Sequence, residues 1–145
     1  MFAWRALVVA MLCVLTLAAP AAAQVPDPFA RELARKLAHA ERERGYVHGA
    51  GPFSGSLGAA EARRIRLTLR AGEDYRVVGV CDARCGVPDV ALYGADGVRL
   101  AAAEQGGSAI LYARVPYTGG YELEIRAGRC AAAACWYAVN VYSRG

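Results

Sequence analysis

Between Arg63 and Gly145 the chain divides into seven short runs that alternate apolar with polar residues or are rich in β-branched and aromatic ones. They are Arg63 to Arg70, Tyr75 to Cys81, Asp89 to Tyr93, Val98 to Ala103, Ala109 to Val115, Tyr121 to Ala127 and Cys135 to Tyr142. A period of two places successive side chains on opposite faces of a strand. Ile65, Leu67 and Leu69 then face one way while Arg64, Arg66, Thr68 and Arg70 face the other, and Val90/Leu92, Leu111/Val115, Leu123/Ile125 and Tyr137/Val139/Val141 define the same apolar side of their strands. Turn residues punctuate the series at Ala71-Gly72-Glu73-Asp74, Ala95-Asp96-Gly97, Pro116 to Gly120 and Gly128-Arg129. No helical pattern interrupts it, so neighbouring strands need no crossover and pair antiparallel. The expected fold is an all-β, two-sheet antiparallel sandwich of about seven to eight strands, jelly-roll or immunoglobulin-like, occupying residues 61–145.

The N-terminus fixes the compartment. Met1 to Gln24 carries a single charge at Arg5, an apolar run of 14 residues from Ala6 to Ala19, and the small residues Ala21-Ala22-Ala23. A membrane-spanning helix needs roughly 20 apolar residues, so residues 1–23 read as a secretory signal peptide cut before Gln24, leaving no membrane span in the mature chain. Leu12 stands where a lipoprotein signal would need a small residue ahead of Cys13. Of the 145 residues 122 then remain, enough for one domain, and the net charge falls from +4 to +3 with the loss of Arg5. That balance is too weak to imply nucleic acid. Of the 17 basic residues only Lys36 is lysine, which together with abundant Ala and Gly suggests a GC-rich bacterial genome, so the expected location is periplasmic or secreted.

An exported chain with an even number of cysteines suggests disulfides. Cys81, Cys85, Cys130 and Cys135 allow three pairings, of which Cys81 with Cys85 and Cys130 with Cys135 is favoured because each pair brackets a short segment between strand-like runs. Four residues of extended chain span ~13 Å while a disulfide holds its Cα atoms within about 7 Å, so both loops must fold back. Rings this small remove little unfolded-state entropy and stiffen loops more than they hold a fold. The spacings C-x3-C and C-x4-C depart from the common zinc pattern C-x2-C.

Ahead of the strands, residues 24–45 form a helical segment: Asp27-Pro28 supplies an N-cap and a proline at the first turn, and Gly45 a stop. Ala30, Leu33, Ala34, Leu37 and Ala38 make one narrow apolar stripe on an amphipathic helix from Pro28 to Arg44. With only two leucines the stripe predicts a helix packed weakly on the sandwich or loosely tethered to it; a docking helix for a partner is the functional alternative. Residues 46–60, YVHGAGPFSGSLGAA, read as a Gly/Ser-rich lead-in with one short strand near Phe53 to Leu57.

The order Leu67-Thr-Leu-Arg-Ala-Gly72, Tyr75, Val80-Cys81-Asp82, Cys85, Asp89-Val-Ala-Leu-Tyr93, Gly97, Pro116, Thr118-Gly119 and Tyr121, followed by Cys130 and Cys135, resembles the bacterial pre-peptidase C-terminal domain over roughly 55–142. The resemblance implies an exported β-sandwich found beside peptidases or alone, with relatives that bind collagen or polysaccharide, and it implies no catalytic residue. Arg84, Val87 and Gly94 stand where many relatives carry acids.

A hydrolase needs a nucleophile with a base in reach. The two histidines, His39 and His48, both precede the strand series, and no serine sits in a G-x-S-x-G. Neither an enzyme nor a cofactor is expected. Asp82, Asp89 and Asp96 are weak calcium candidates, although turn capping and strand initiation account for each separately. The candidate ligand surface is the outer arginine row Arg64, Arg66 and Arg70, which also serves as edge protection, together with Trp136 and Tyr142, which fall on the side of the last strand opposite Tyr137, Val139 and Val141. The expected function is a non-catalytic exported module that binds a protein or cell-envelope component; the alternative is a carbohydrate-binding module using exposed aromatics and arginines.

Overall fold

The structure, a computed structural model, describes residues 24–41, 43–105 and 108–145; the expected signal peptide lies outside them. Helix α1 (Asp27–Ala40) is followed by nine strands: β1 (Val47–Leu57), β2 (Ala62–Leu69), β3 (Asp74–Cys81), β4 (Asp89–Tyr93), β5 (Arg99–Ala102), β6 (Glu104–Gln105), β7 (Ala109–Arg114), β8 (Gly119–Arg126) and β9 (Cys135–Arg144). They form two antiparallel sheets, one ordered β1-β9-β3-β7-β6 and the other β2-β8-β4-β5. The sandwich is therefore as expected, with β1 and the two-residue β6 added. In residues 46–60 the short strand expected near Phe53 to Leu57 is present but longer: it runs 11 residues, paired along β9 from Val47↔Ser143 to Leu57↔Cys135, with register shifts between His48 and Phe53. Gly49, Gly51 and Pro52 hid its first half, since such residues normally weaken strands and are tolerated at an edge.

The principal core lies between the sheets. Tyr75, Val77, Leu111, Val139 and Val141 of one sheet meet Leu67, Leu69, Val90, Leu92, Tyr121, Leu123 and Ile125 of the other. Gly72 (φ 84°) and Gly97 (φ 80°) take the left-handed conformation that their turns demand.

The helix departs from the expectation. It begins after Pro26 with Asp27 in the first turn and no side-chain cap, and it ends at Ala40 instead of Arg44. Arg76 Nη2 donates to the Ala40 carbonyl at 2.6 Å, so the sheet itself satisfies the helix end. Nor is the packing weak: Leu33 and Leu37, 2% and 5% exposed, form a second core with Val78, Val80, Ala138 and Tyr142 on the outer face of the five-stranded sheet. At roughly 2 kcal/mol for each leucine buried, two suffice to hold a helix that would be marginal alone. The sequence signal for this was Val77-Val78 and Val80, apolar on both parities, which marks a strand buried on both faces. Among the described residues no helix is long and apolar enough to cross a membrane.

Candidate functional site

Three regions carry the residues singled out above. The first is the disulfide end. Cys81–Cys85 and Cys130–Cys135 are closed, each with Cα atoms 5.9 Å apart, and the Ala131 N–H donates to the Arg84 carbonyl at 3.0 Å, joining one loop to the other. Asp82 lies between them, fully buried. Its Oδ1 accepts from Arg84 N (2.9 Å) and Arg84 Nε (3.0 Å), and its Oδ2 from Arg84 Nη2 (2.8 Å) and Trp136 N (2.7 Å). Burial pushes the carboxyl up, but hydrogen bonds from the Arg84 guanidinium and from the Trp136 and Arg84 amides outweigh it and hold the group below the ordinary carboxylate value. Asp82 is thus a turn-former with both oxygens engaged. Asp89 opens β4, and Asp96 lies in the turn beyond its far end, where its Oδ1 accepts from Val98 N at 3.1 Å. At ~3.3 Å per strand residue the two acids are separated by more than the five-residue length of β4, so they do not share a cation.

The second region is the outer face of the five-stranded sheet. Trp136 and Tyr142 do lie on the parity opposite Tyr137, Val139 and Val141, but α1 covers it. Tyr142 is 6% exposed, Trp136 is half-buried with its ring 6.5 Å from that of Phe29, and Arg84 stacks 4.4 Å over Phe29. The expected exposed aromatic pair is instead the floor of the helix-binding face. Beside it the buried Arg76, Asn140 and Tyr142 meet two acids at the helix end that remain in reach of solvent. Arg76 Nε pairs with Glu43 at 2.8 Å, Asn140 Nδ2 donates to Glu41 at 3.0 Å, and the Tyr142 hydroxyl donates to Glu41. Burial, reinforced by that bond to a carboxylate, pushes the Tyr142 phenol up to about 12.

The third region, the outer face of the four-stranded sheet, is open. Register places Arg64 opposite Glu124, Arg66 opposite Glu122 and Thr68 opposite Gly120, with Tyr93 on the other side of Glu122. Arg64 Nη1 contacts Glu122 at 2.7 Å and Nη2 contacts Glu124 at 3.1 Å. Its guanidinium sits 5.1 Å from the Tyr93 ring centre. Arg70 reaches Glu73 at 3.8 Å. Two of the three arginines are therefore paired, Arg64 through its neighbour β8, a consequence of strand order that could not be read from β2 alone, and Arg70 through the local turn. Arg66 has no ion pair among the described residues, and it borders a groove of about 630 Å³ with Thr68, Gly94 to Gly97 and Gly120.

At the end of this groove three turns are pinned together. The Tyr117 hydroxyl accepts from Ala95 N at 2.8 Å, Thr118 Oγ1 accepts from Ala71 N at 3.0 Å, and the Tyr117 ring stacks on Tyr121 with centroids 4.7 Å apart. Tyr117 remains 39% exposed. Sequence reasoning had placed these turns but not their contact, because all three partners are distant along the chain. His39 on α1 and His48 on β1 are exposed, the latter with its ring edge-on to Tyr142 at 5.6 Å.

No family model matches the chain, so its resemblance to the pre-peptidase C-terminal domain rests on motif order, and no curated protein matches it. Two solved structures are similar in fold. PliG from Aeromonas hydrophila, described as a periplasmic lysozyme inhibitor of g-type lysozyme, is 12% identical, with 68% of this chain and 93% of that one covered and a TM-score of 0.51. PliG from Salmonella Typhimurium, described in the same words, is 22% identical over 65% of this chain and 86% of that one, with a TM-score of 0.44. What this chain shares with the Aeromonas inhibitor is its fold.

Proposed function

We propose that the mature protein is a non-catalytic, exported protein-binding module whose partner is a cell-wall lysozyme, met in the periplasm or outside the cell. One observation carries the choice of surface: α1 covers the centre of one outer face, over β3 and β9, while the opposite face and its three pinned turns stay open. Turns already tied to each other lose little freedom on binding, which favours recognition of a rigid partner. The fold shared with a periplasmic lysozyme inhibitor supports a protein partner of this class, and the two disulfides agree with export. Against the carbohydrate alternative stands the burial of Tyr142 beneath the helix and the half-burial of Trp136 beside Phe29.

The test is a lysozyme assay on purified residues 24–145, with g-type lysozyme first and other lysozyme classes after it, alongside a glycan array. Dose-dependent inhibition that weakens on Tyr117→Ala is the expected result. Full lysozyme activity at a large excess of this protein, combined with tight binding to a glycan, would sink the proposal.

A further inference from the structure

Each sheet of the sandwich ends in edge strands, and they differ in how they are closed off. β5 is four residues long, and its pairing with β4 is shifted. β6 has two residues. β1 contains Pro52, which has no N–H to donate, and slips register on both sides of Ala50. β2 is otherwise. Its eight residues, ARRIRLTL, hold unbroken register with β8, contain no Gly or Pro, and have no strand on their other side among the described residues. Alternate N–H and C=O groups of β2 therefore point sideways, unpaired by any ladder.

Along that edge runs a crevice of about 290 Å³. The four consecutive β2 residues Arg66 to Leu69 line it, so the strand backbone, and not one side-chain row, faces the space. Ala50, Phe53 and Val141 supply apolar walls from the other sheet, and Glu73 and Ser143 line it too. Beyond the strand end the Arg70 N–H is already given to the Tyr75 hydroxyl. The volume is far beyond the ~30 Å³ that one water occupies.

We infer that β2 accepts an extended peptide segment of a partner as an added strand, with acidic side chains on the solvent face and large apolar ones directed into the crevice. Main-chain hydrogen bonds would supply affinity and alternate side chains specificity. Acid is favoured outside because Arg66 lacks an ion pair there among the described residues, whereas Arg64 is already held by Glu122 and Glu124. A second copy of this chain fits worse: antiparallel pairing of two β2 strands with their polar rows outside brings arginine against arginine, which is destabilising.

The probe is a labelled peptide, Glu-Leu-Glu-Val-Glu-Leu-Glu-Val, titrated onto residues 24–145 by fluorescence anisotropy, with amide exchange read along β2. Two further versions carry backbone N-methyl groups on one alternate set of residues or on the other. Binding with slowed exchange at alternate β2 amides is expected, along with abolition by one methylated set only. Arg66→Glu should weaken binding about tenfold or more, a change of ~1.4 kcal/mol, with Arg66→Ala as the milder check should the reversal disturb folding. Absence of binding at millimolar peptide, equal affinity of the two methylated versions, protection outside β2, or self-association of the protein through β2 in sedimentation would each overturn the inference. No lysozyme enters this experiment, so its outcome is independent of the partner proposed above.

Discussion

The two outer faces of this sandwich are built from the same pleated geometry and have opposite fates. On the five-stranded sheet the outward row includes Val78, Val80, Ala138 and Tyr142, with Arg76 and Asn140 among them, and a helix covers it. On the four-stranded sheet the outward row is Arg64, Arg66, Thr68, Glu122, Glu124 and Arg126, and these charges largely answer one another across β2 and β8. A face becomes a docking surface for its own chain when apolar groups dominate, and a solvated one when charges pair locally. Polar groups can sit on the covered face only because α1 and the segment after it bring Glu41, Glu43 and the Ala40 carbonyl to meet them.

The sharpest way to break this contrast is to remove the cover. Deleting residues 24–45 uncovers Val78, Val80 and Tyr142 and should cost more than about 4 kcal/mol, counting only the two leucines at ~2 kcal/mol each. Urea denaturation and binding of a hydrophobic dye would measure it, and an unchanged urea midpoint would show that the helix is dispensable. Asp82→Ala comes next, at about 3 kcal/mol, because it strands the Trp136 and Arg84 amides in a buried site. Its pH dependence has a definite sign. The folded carboxyl titrates below its ordinary value, so its stabilisation is complete above about pH 4 and is lost as pH falls through the lower folded value. The wild type should lose stability in acid more steeply than Asp82→Ala, as followed by circular dichroism.

Tyr142→Phe removes the hydroxyl from Glu41 and Asn140 and should cost about 1 kcal/mol. Here the folded phenol is raised to about 12, so the stabilisation holds below pH ~10 and is lost as pH rises from there toward the folded value. Burial also raises Tyr75, Tyr121 and Tyr137, and the bond to Glu43 together with burial raises Tyr112. Tyrosinate absorbance should therefore show the Phe variant with one fewer late-titrating group than the wild type. The smallest effect is expected on the open face. Arg66→Ala should alter stability by no more than about 0.5 kcal/mol, and a larger drop in the melting midpoint would mean that this face is not free surface.

The runs that became β2, β4, β7 and β8 were readable because each buries mainly one parity, and those that became β3 and β9 because their apolar content continues through both. Of β1 only the end near Phe53 to Leu57 was readable, since its first half, with Gly49, Gly51 and Pro52, satisfies an edge position opposite β9 without a recognisable period. The disulfide pairing followed from loop spacing, and Asp82 as a turn-former held by its neighbour Arg84 is a local arrangement, but the Trp136 amide that also occupies it comes from β9, 54 residues away. The arginine row was legible as outward-facing. That Glu122 and Glu124 would pair with Arg64 was not, because nothing in β2 indicates that β8 is its neighbour.

One contact offers a practical consequence. Lys36, the chain's only lysine, donates from Nζ to the Cys81 carbonyl at 2.6 Å and pairs with Glu32 at 3.2 Å, tying the helix to the first disulfide loop. Once residues 1–23 are removed, amine-directed acylation has two targets, this side chain and the new N-terminus. The side chain is 35% exposed, so the rate at which it is modified, separated from the terminus by peptide mapping, reports how often Nζ leaves the Cys81 carbonyl, and the unaltered protein carries its own chemical clock for that contact.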